Sequence, residues 1–362
     1  MVGVHPGRLA AIVLLVAACS GALITPAPDG VGSTPGPTEP VAPIDAPTVA
    51  PTGTPRTGPT PTPALDLPNV IDVRTTTATV IKATPSPDFI VLAGVYAFAS
   101  GVGNGVGRFD LATGDLVGSI AIPGDSCEAL DAGFGAAWTA TCDGPGLARI
   151  DAATGAVSTV ELGGRIPDSE ASVGAGEGAV WVIVDGSPRT LVKVDPASMT
   201  MVGAFEIPGT PTAVRAGLGA AWVADPALNL VHRVDPASGV VVTTIRVGRQ
   251  PQFLAIGEGS VWTMDQVDGT VSRVDPGTNT VIATIELGEV VRGGDIAVGG
   301  GSVWLRGSRT LLFRIDPATN EIVERYGPSA GSGSVAADED AVWITAHDIT
   351  TIWRLEYSRL VE

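Results

Sequence analysis

Residues 257–288 read GEGSVWTMDQVDGTVSRVDPGTNTVIATIELG, and close variants of this stretch recur from near residue 90 to the C-terminus. Apolar residues alternate with polar ones at period two, and each alternating run stops at a glycine-rich or Asp-Pro turn, the pattern of short antiparallel strands. Aligned on a basic–apolar–acidic triplet, the copies are Arg108-Phe109-Asp110, Arg149-Ile150-Asp151, Lys193-Val194-Asp195, Arg233-Val234-Asp235, Arg273-Val274-Asp275, Arg314-Ile315-Asp316 and Arg354-Leu355-Glu356. The acids are 41, 44, 40, 40, 41 and 40 residues apart. Seven copies at this period, each made of strands, predict an all-β fold: a seven-bladed β-propeller of four-stranded antiparallel blades.

In the copy at 250–288 the strands, a to d from the inside out, are PQFLAIG, SVWTMD, TVSRVD and NTVIATIELG. The turn DPGTN between c and d suits its place: Asp bonds back to the chain, Pro presets φ, and Asn takes the left-handed position. Strand b carries an aromatic at one position in six copies: Trp138, Trp181, Trp222, Trp262, Trp304 and Trp343. Packing between blades accounts for these indoles; a binding ring is the other reading. The base and acid of the triplet lie on one side of strand c, which suits a structural ion pair or a cap. After Glu356 too little chain remains for a fourth strand, whereas VIDVRTTTATVIKATP, ahead of the first copy, reads like strand d. Residues near 70–84 are therefore expected to close the ring as the outer strand of the last blade, pairing an edge that would otherwise be a liability.

The 47 Gly and 29 Pro against 16% charged residues fit strands and turns. A net charge of −17 leaves nothing to neutralise a line of phosphates, so nucleic acid is excluded as a partner. At the N-terminus, Arg8 precedes an apolar run from Leu9 to Ala18, far short of the ~20 residues a helix needs to cross a bilayer. This is the pattern of a signal peptide over residues 1–19, and Val16-Ala17-Ala18-Cys19 resembles a lipoprotein lipobox; an ordinary secretory signal with an incidental Cys19 is the alternative. Residues 20–68 hold 13 of the prolines and few large apolar side chains, the composition of a disordered Pro/Thr-rich stalk. The propeller then spans 69–362, in a monomer exported and lipid-anchored to the outer face of a bacterial cell membrane, which it contacts through the anchor alone. Cys127 and Cys142 each stand seven residues from the hairpin turn at Phe134-Gly135. A cross-strand disulfide worth up to ~3 kcal/mol, or two buried thiols, follows.

The a-to-b and c-to-d turns share one face of a propeller and are nearly alike in every copy. The d-to-a and b-to-c loops share the other face and differ, which makes that face the candidate binding surface. It carries Asp143, Asp185, Asp225, Asp265 and Asp348 where strand b ends, with Gln252, Arg292, Arg306 and His347. Such carboxylates could hold a divalent cation, Mg or Ca, around a channel; a solvated acidic rim is the plainer reading. No G-x-S-x-G, H-E-x-x-H or P-loop motif occurs, and His347 is the one plausible general base, since His232 reads as a wall residue.

The repeats GAGEGAVWVIVDGSPRTLVKVDPASM (174–199) and GEGSVWTMDQVDGTVSRVDPGTN (257–279) resemble those of the YVTN and streptogramin lyase (virginiamycin B lyase) group of seven-bladed propellers, over about residues 85–362. The resemblance implies the fold. The lyases of the group open a depsipeptide ring by elimination, using magnesium, a His in a P-H-x-I segment and a Glu. The matching segments here are Pro211-Thr212-Ala213-Val214 and Pro251-Gln252-Phe253-Leu254, without a His, and an acid three residues after the Trp occurs only as Asp225 and Asp265. The activity is not carried over. A binding scaffold for an extracellular protein, glycan or small molecule is the expected function, with a metal-dependent lyase or hydrolase using His347 as the alternative. If Cys19 carries lipid, Cys19→Ser should move the protein from the membrane pellet to the soluble exported fraction; a variant that still pellets with membranes overturns the lipobox reading.

Overall fold

Each copy of the repeat folds into one antiparallel sheet because both of its tight turns are written into it. In blade 5 the strands are Pro251–Gly257, Ser260–Asp265, Thr270–Asp275 and Thr280–Glu286, hydrogen-bonded in chain order. The a-to-b turn has φ of 49° at Glu258 and 67° at Gly259, the pair of left-handed residues that a two-residue hairpin needs to match strand twist. At the c-to-d turn the Asp275 carboxylate accepts from Gly277 N and from the Thr278 hydroxyl, both at 2.8 Å, and Asn279 takes φ 58°. Asp110, Asp151, Asp195, Asp235 and Asp316 cap their own turns in the same way. The acid of the triplet is thus a turn cap.

The protein is described by a computed structural model for residues 70–357, apart from positions 104, 125, 144, 145, 168 and 169. Cys19, the segment 20–68 and residues 358–362 lie outside the described residues. The remaining blades occupy 90–120, 126–161, 173–207, 213–246, 295–327 and 335–356, and seven sheets stand around one axis. Their first strands, a, contact one another in ring order and line the axis.

The apolar core lies in the wedges between blades. One cluster joins Trp181, Ile183 and Leu191 of blade 3 to Val214, Ala221 and Val223 of blade 4; another joins Trp343 and Ile352 of blade 7 to Ile90, Ala97 and Phe109 of blade 1. All six strand-b indoles are fully buried. Five of them donate Nε1–H to the strand-a glycine carbonyl five residues earlier, at 3.0–3.2 Å. Trp343 lacks this bond, and there Asp338 stands in place of the glycine. The base of the triplet lies over a strand-b ring in every copy, the blade's Trp in six and, in blade 1, Tyr96 rather than the Phe98 that occupies the Trp position, from 3.6 Å at Arg108–Tyr96 to 6.0 Å at Arg149–Trp138. In four blades it also reaches the next blade's turn: Arg108 donates to Ala153 O, Lys193 to Pro236 O, Arg233 to Pro276 O and Arg273 to Pro317 O. An ion pair inside the triplet forms only at Arg149–Asp151 and Arg354–Glu356. In the four blades whose base reaches across the wedge, the acid is left to its turn, whereas Arg314 pairs with Glu324 on strand d at 3.3 Å.

The ring closes with the N-terminal segment. Thr79–Lys82 pairs antiparallel with Thr351–Glu356 as the outer strand of blade 7. The residues before it do not continue that strand. Asp72 caps a 3-10 turn at Val73–Thr75, accepting from Arg74 N at 2.9 Å, and Ile71–Asp72 instead adds in parallel to Tyr326–Gly327 of blade 6. Tyr357 stacks on Trp304, with centroids 5.6 Å apart, and so ties the other end of the chain to blade 6 as well. Deleting residues 69–85 exposes the edge of blade 7 and uncovers its wedge with blade 1. Calorimetry should show loss of the single cooperative transition or a fall of well over 10 °C in Tm; an unchanged transition would sink this account of closure.

Candidate functional site: the axial channel and its mouth

An axial cavity of about 250 Å³ takes lining residues from all seven inner strands. One column of the repeat decides its character. The strand-a residues cross-paired with the blade aromatic are Val91, Asp131, Gly174, Arg215, Ala255, Ala297 and Ala336. Five are small or aliphatic and two are charged. Asp131 Oδ2 accepts from Ala175 N at 2.7 Å, and Arg215 Nη1 donates to Val173 O at 2.8 Å and Val214 O at 3.0 Å. Both therefore serve the inner edge of blade 3, whose strand a has no further strand to pair with. Nearer the variable face, Asp295 accepts from Ile296 N at 2.8 Å and from the Ser334 hydroxyl at 2.6 Å. Burial pushes the Asp131 and Asp295 carboxyls above the usual range, and the Arg215 guanidinium opposes this at both.

The mouth of the channel on the variable face is also charged. Burial, reinforced by the Glu128 carboxylate, pushes Asp88 up to about 6, while His347 pulls it back. His347 Nδ1 lies 2.8 Å from Asp348 Oδ1, and this hydrogen bond raises the imidazole against a smaller effect of burial. Three acids and a histidine thus lead from the loop face to Asp295 and, below it, to Asp131 and Arg215.

The residues singled out from the sequence fall into three groups. His347 and Asp348 stand at this mouth, partly exposed. Asp225, Asp265 and Arg306 are buried inside their blades. Asp225 accepts from Thr210 N at 2.8 Å and Leu228 N at 3.0 Å, and so shapes two loops. Asp265 takes the hydroxyls of Thr263, Thr270 and Ser272 at 2.7, 3.3 and 2.5 Å. Arg306 donates to the carbonyls of Gly307, Thr345, Gly331 and Ser332, and burial lowers its pKa to about 10. Asp143, Asp185 and Arg292 are exposed, Asp185 beside Arg189 at 3.5 Å, and Gln252 is half-buried at a bulge between Pro251 and Phe253. The strand-b carboxylates do not converge on the axis, because strand a stands between them and it. Among the described residues no three His, Cys, Asp or Glu side chains gather as a metal would require. The magnesium implied by the lyase resemblance therefore has no matching donor set there.

His232 is buried against Thr244 at 3.0 Å. Cys127 and Cys142 are disulfide-bonded, with Cα atoms 4.9 Å apart. The strands around them do not keep a straight register. It slips between Ser126 and Leu130, where Glu128 takes φ 67°, so that Ser126 faces Thr141.

The channel charges went unnoticed in the sequence, although one column held two of them. Asp131 and Arg215 stand seven residues before their Trp, where four other copies have Gly or Ala and the first copy has Val91 before Phe98. In a repeat protein, an unshared charge inside a shared packing position is a signal of its own. Compared with known proteins, the chain matches no family model and no curated protein.

Asp265 gives a pH test. Burial pushes it up to about 7, from an unfolded value of 3.8, so the native state holds the extra proton between those values. Its contribution to stability is full below pH 4 and falls as pH rises through 7, by at most about 1.4 kcal/mol per pH unit. Asp265→Asn should flatten this slope in denaturant titrations from pH 5 to 8.5, gaining on the parent as pH rises; parallel curves would refute it.

Proposed function

We propose that the chain is an exported, lipid-anchored propeller that binds a ligand outside the cell, over the mouth of the axial channel on its variable face. The observation that carries this reading is the chain of unshared charges, Asp88, Asp295, Asp131 and Arg215, running from that face into a cavity lined by every blade. Packing alone would fill the positions of Asp131 and Arg215 with the small or aliphatic residues found there in the other blades. A rigid ring presenting one variable face suits recognition, and fold by itself names no activity. The YVTN-type repeats agree with such a scaffold, as do the lipobox and the stalk composition. Amide NMR of the full propeller with a panel of small peptides, sugars and amino acids tests it. Shifts should gather at Asp88, Asp295 and His347. Binding confined to the opposite turns at Gly178, Gly219 and Gly259, or none across the panel, would overturn it.

A second reading has one observation in its favour. His347, held by Asp348 and open to solvent at the mouth, has the geometry of a general base whose partner orients the ring. If the protein is a lyase or hydrolase, turnover rises with pH above the ordinary imidazole range and His347→Ala abolishes it. Turnover unaffected by that change would remove His347 from the chemistry.

A further inference from the structure

We infer that the axial cavity is a binding site for a small zwitterion, one molecule carrying both a carboxylate and an ammonium, of the size of a free amino acid. This rests on the reading of the channel as the binding site and adds the chemistry of the ligand. Arg215 has five N–H donors, and both of its hydrogen bonds use Nη1. Nε and Nη2 have no partner among the described residues, and they are not sealed within protein. They present the planar fork that takes a carboxylate at two points.

The two carboxylates are also incompletely used. Each offers about four lone-pair sites. Asp295 receives a backbone N–H and the Ser334 hydroxyl, and Asp131 receives backbone N–H groups. Sites remain on both for the three hydrogens of an ammonium. A simple cation would take up the two acids and leave the Nε and Nη2 donors of Arg215 unpaired, and a simple anion would meet two acids. A hard divalent ion needs about six oxygens, and two carboxylates already tied to backbone and hydroxyl do not supply them. A zwitterion answers both signs at once, and the acidic mouth at Asp88, Glu128 and Asp348 admits its ammonium end.

Size narrows the class. A volume of about 250 Å³ corresponds to roughly eight waters of liquid, below the ~300 Å³ at which sites for drug-sized ligands begin. Between the charges the wall carries the half-buried Val91, Leu92 and Ile256 with several alanines, which leaves room for a small side chain.

Titration calorimetry of the full chain tests this with glycine, L-alanine, L-leucine and 4-aminobutyrate as probes. At least one should bind saturably. For the best of them, the amide-capped and the N-acetylated forms should each bind at least ten-fold more weakly. Arg215→Gln should cost at least ten-fold, and Arg246→Gln, on the exposed outer strand of blade 4, nothing. The capped probes need no variant, so the test survives if Arg215→Gln fails to fold. The inference is overturned if a capped form binds as well as its parent, or if Arg215→Gln, with an unchanged Tm, binds normally. It is also overturned if none of the four binds. Binding of another class at the variable face would then leave the broader reading standing.

Discussion

A cation laid on a ring at the rim of each wedge is the contact on which the rest of this molecule depends. A single blade is a sheet with two apolar faces and no core of its own. It becomes stable only when a neighbour covers those faces. The buried indole supplies the apolar bulk. The base above it adds a cation–π contact worth about 0.5–2 kcal/mol according to how dry the site is. In four blades the same base fixes the spacing by reaching a carbonyl of the next turn. Turn chemistry, wedge packing and blade spacing are therefore coupled through three repeated side chains, Trp, Arg or Lys, and Asp.

This coupling explains what could be read from the sequence. Packing and turn residues must recur because each blade solves the same problem, so the strand order, the caps and the outer closing strand were legible. The site was not, because it depends on which strand faces the axis. Asp225 and Asp265 look like loop acids at the end of strand b. In the fold they sit one strand out from the channel, and their oxygens are occupied by loop N–H groups and hydroxyls. Asp131 and Arg215 lie inside strands that read as ordinary wall. Irregular register was hidden too. The slip at Ser126–Leu130 and the parallel pairing of Ile71–Asp72 follow from local turns that alternation does not reveal.

The channel residues do two jobs at once. Inner strands have an unpaired edge, and Asp131, Arg215 and Asp295 satisfy part of it while keeping spare valences toward the cavity. Groups held this way are preorganised: their rotamers are set by bonds to backbone before any ligand arrives, so less ordering remains to oppose binding.

The closing segment has a mechanical consequence. Tension drawn through the chain ahead of residue 70 would fall first on two residue pairs with blade 6 and then on four with blade 7. Those few rungs form the load path into a ring whose other blades are each continuous in sequence. A pull strong enough to unzip them would open the ring at one defined joint and leave the remaining blades stacked, so the strand that closes the ring is also the one that would release it.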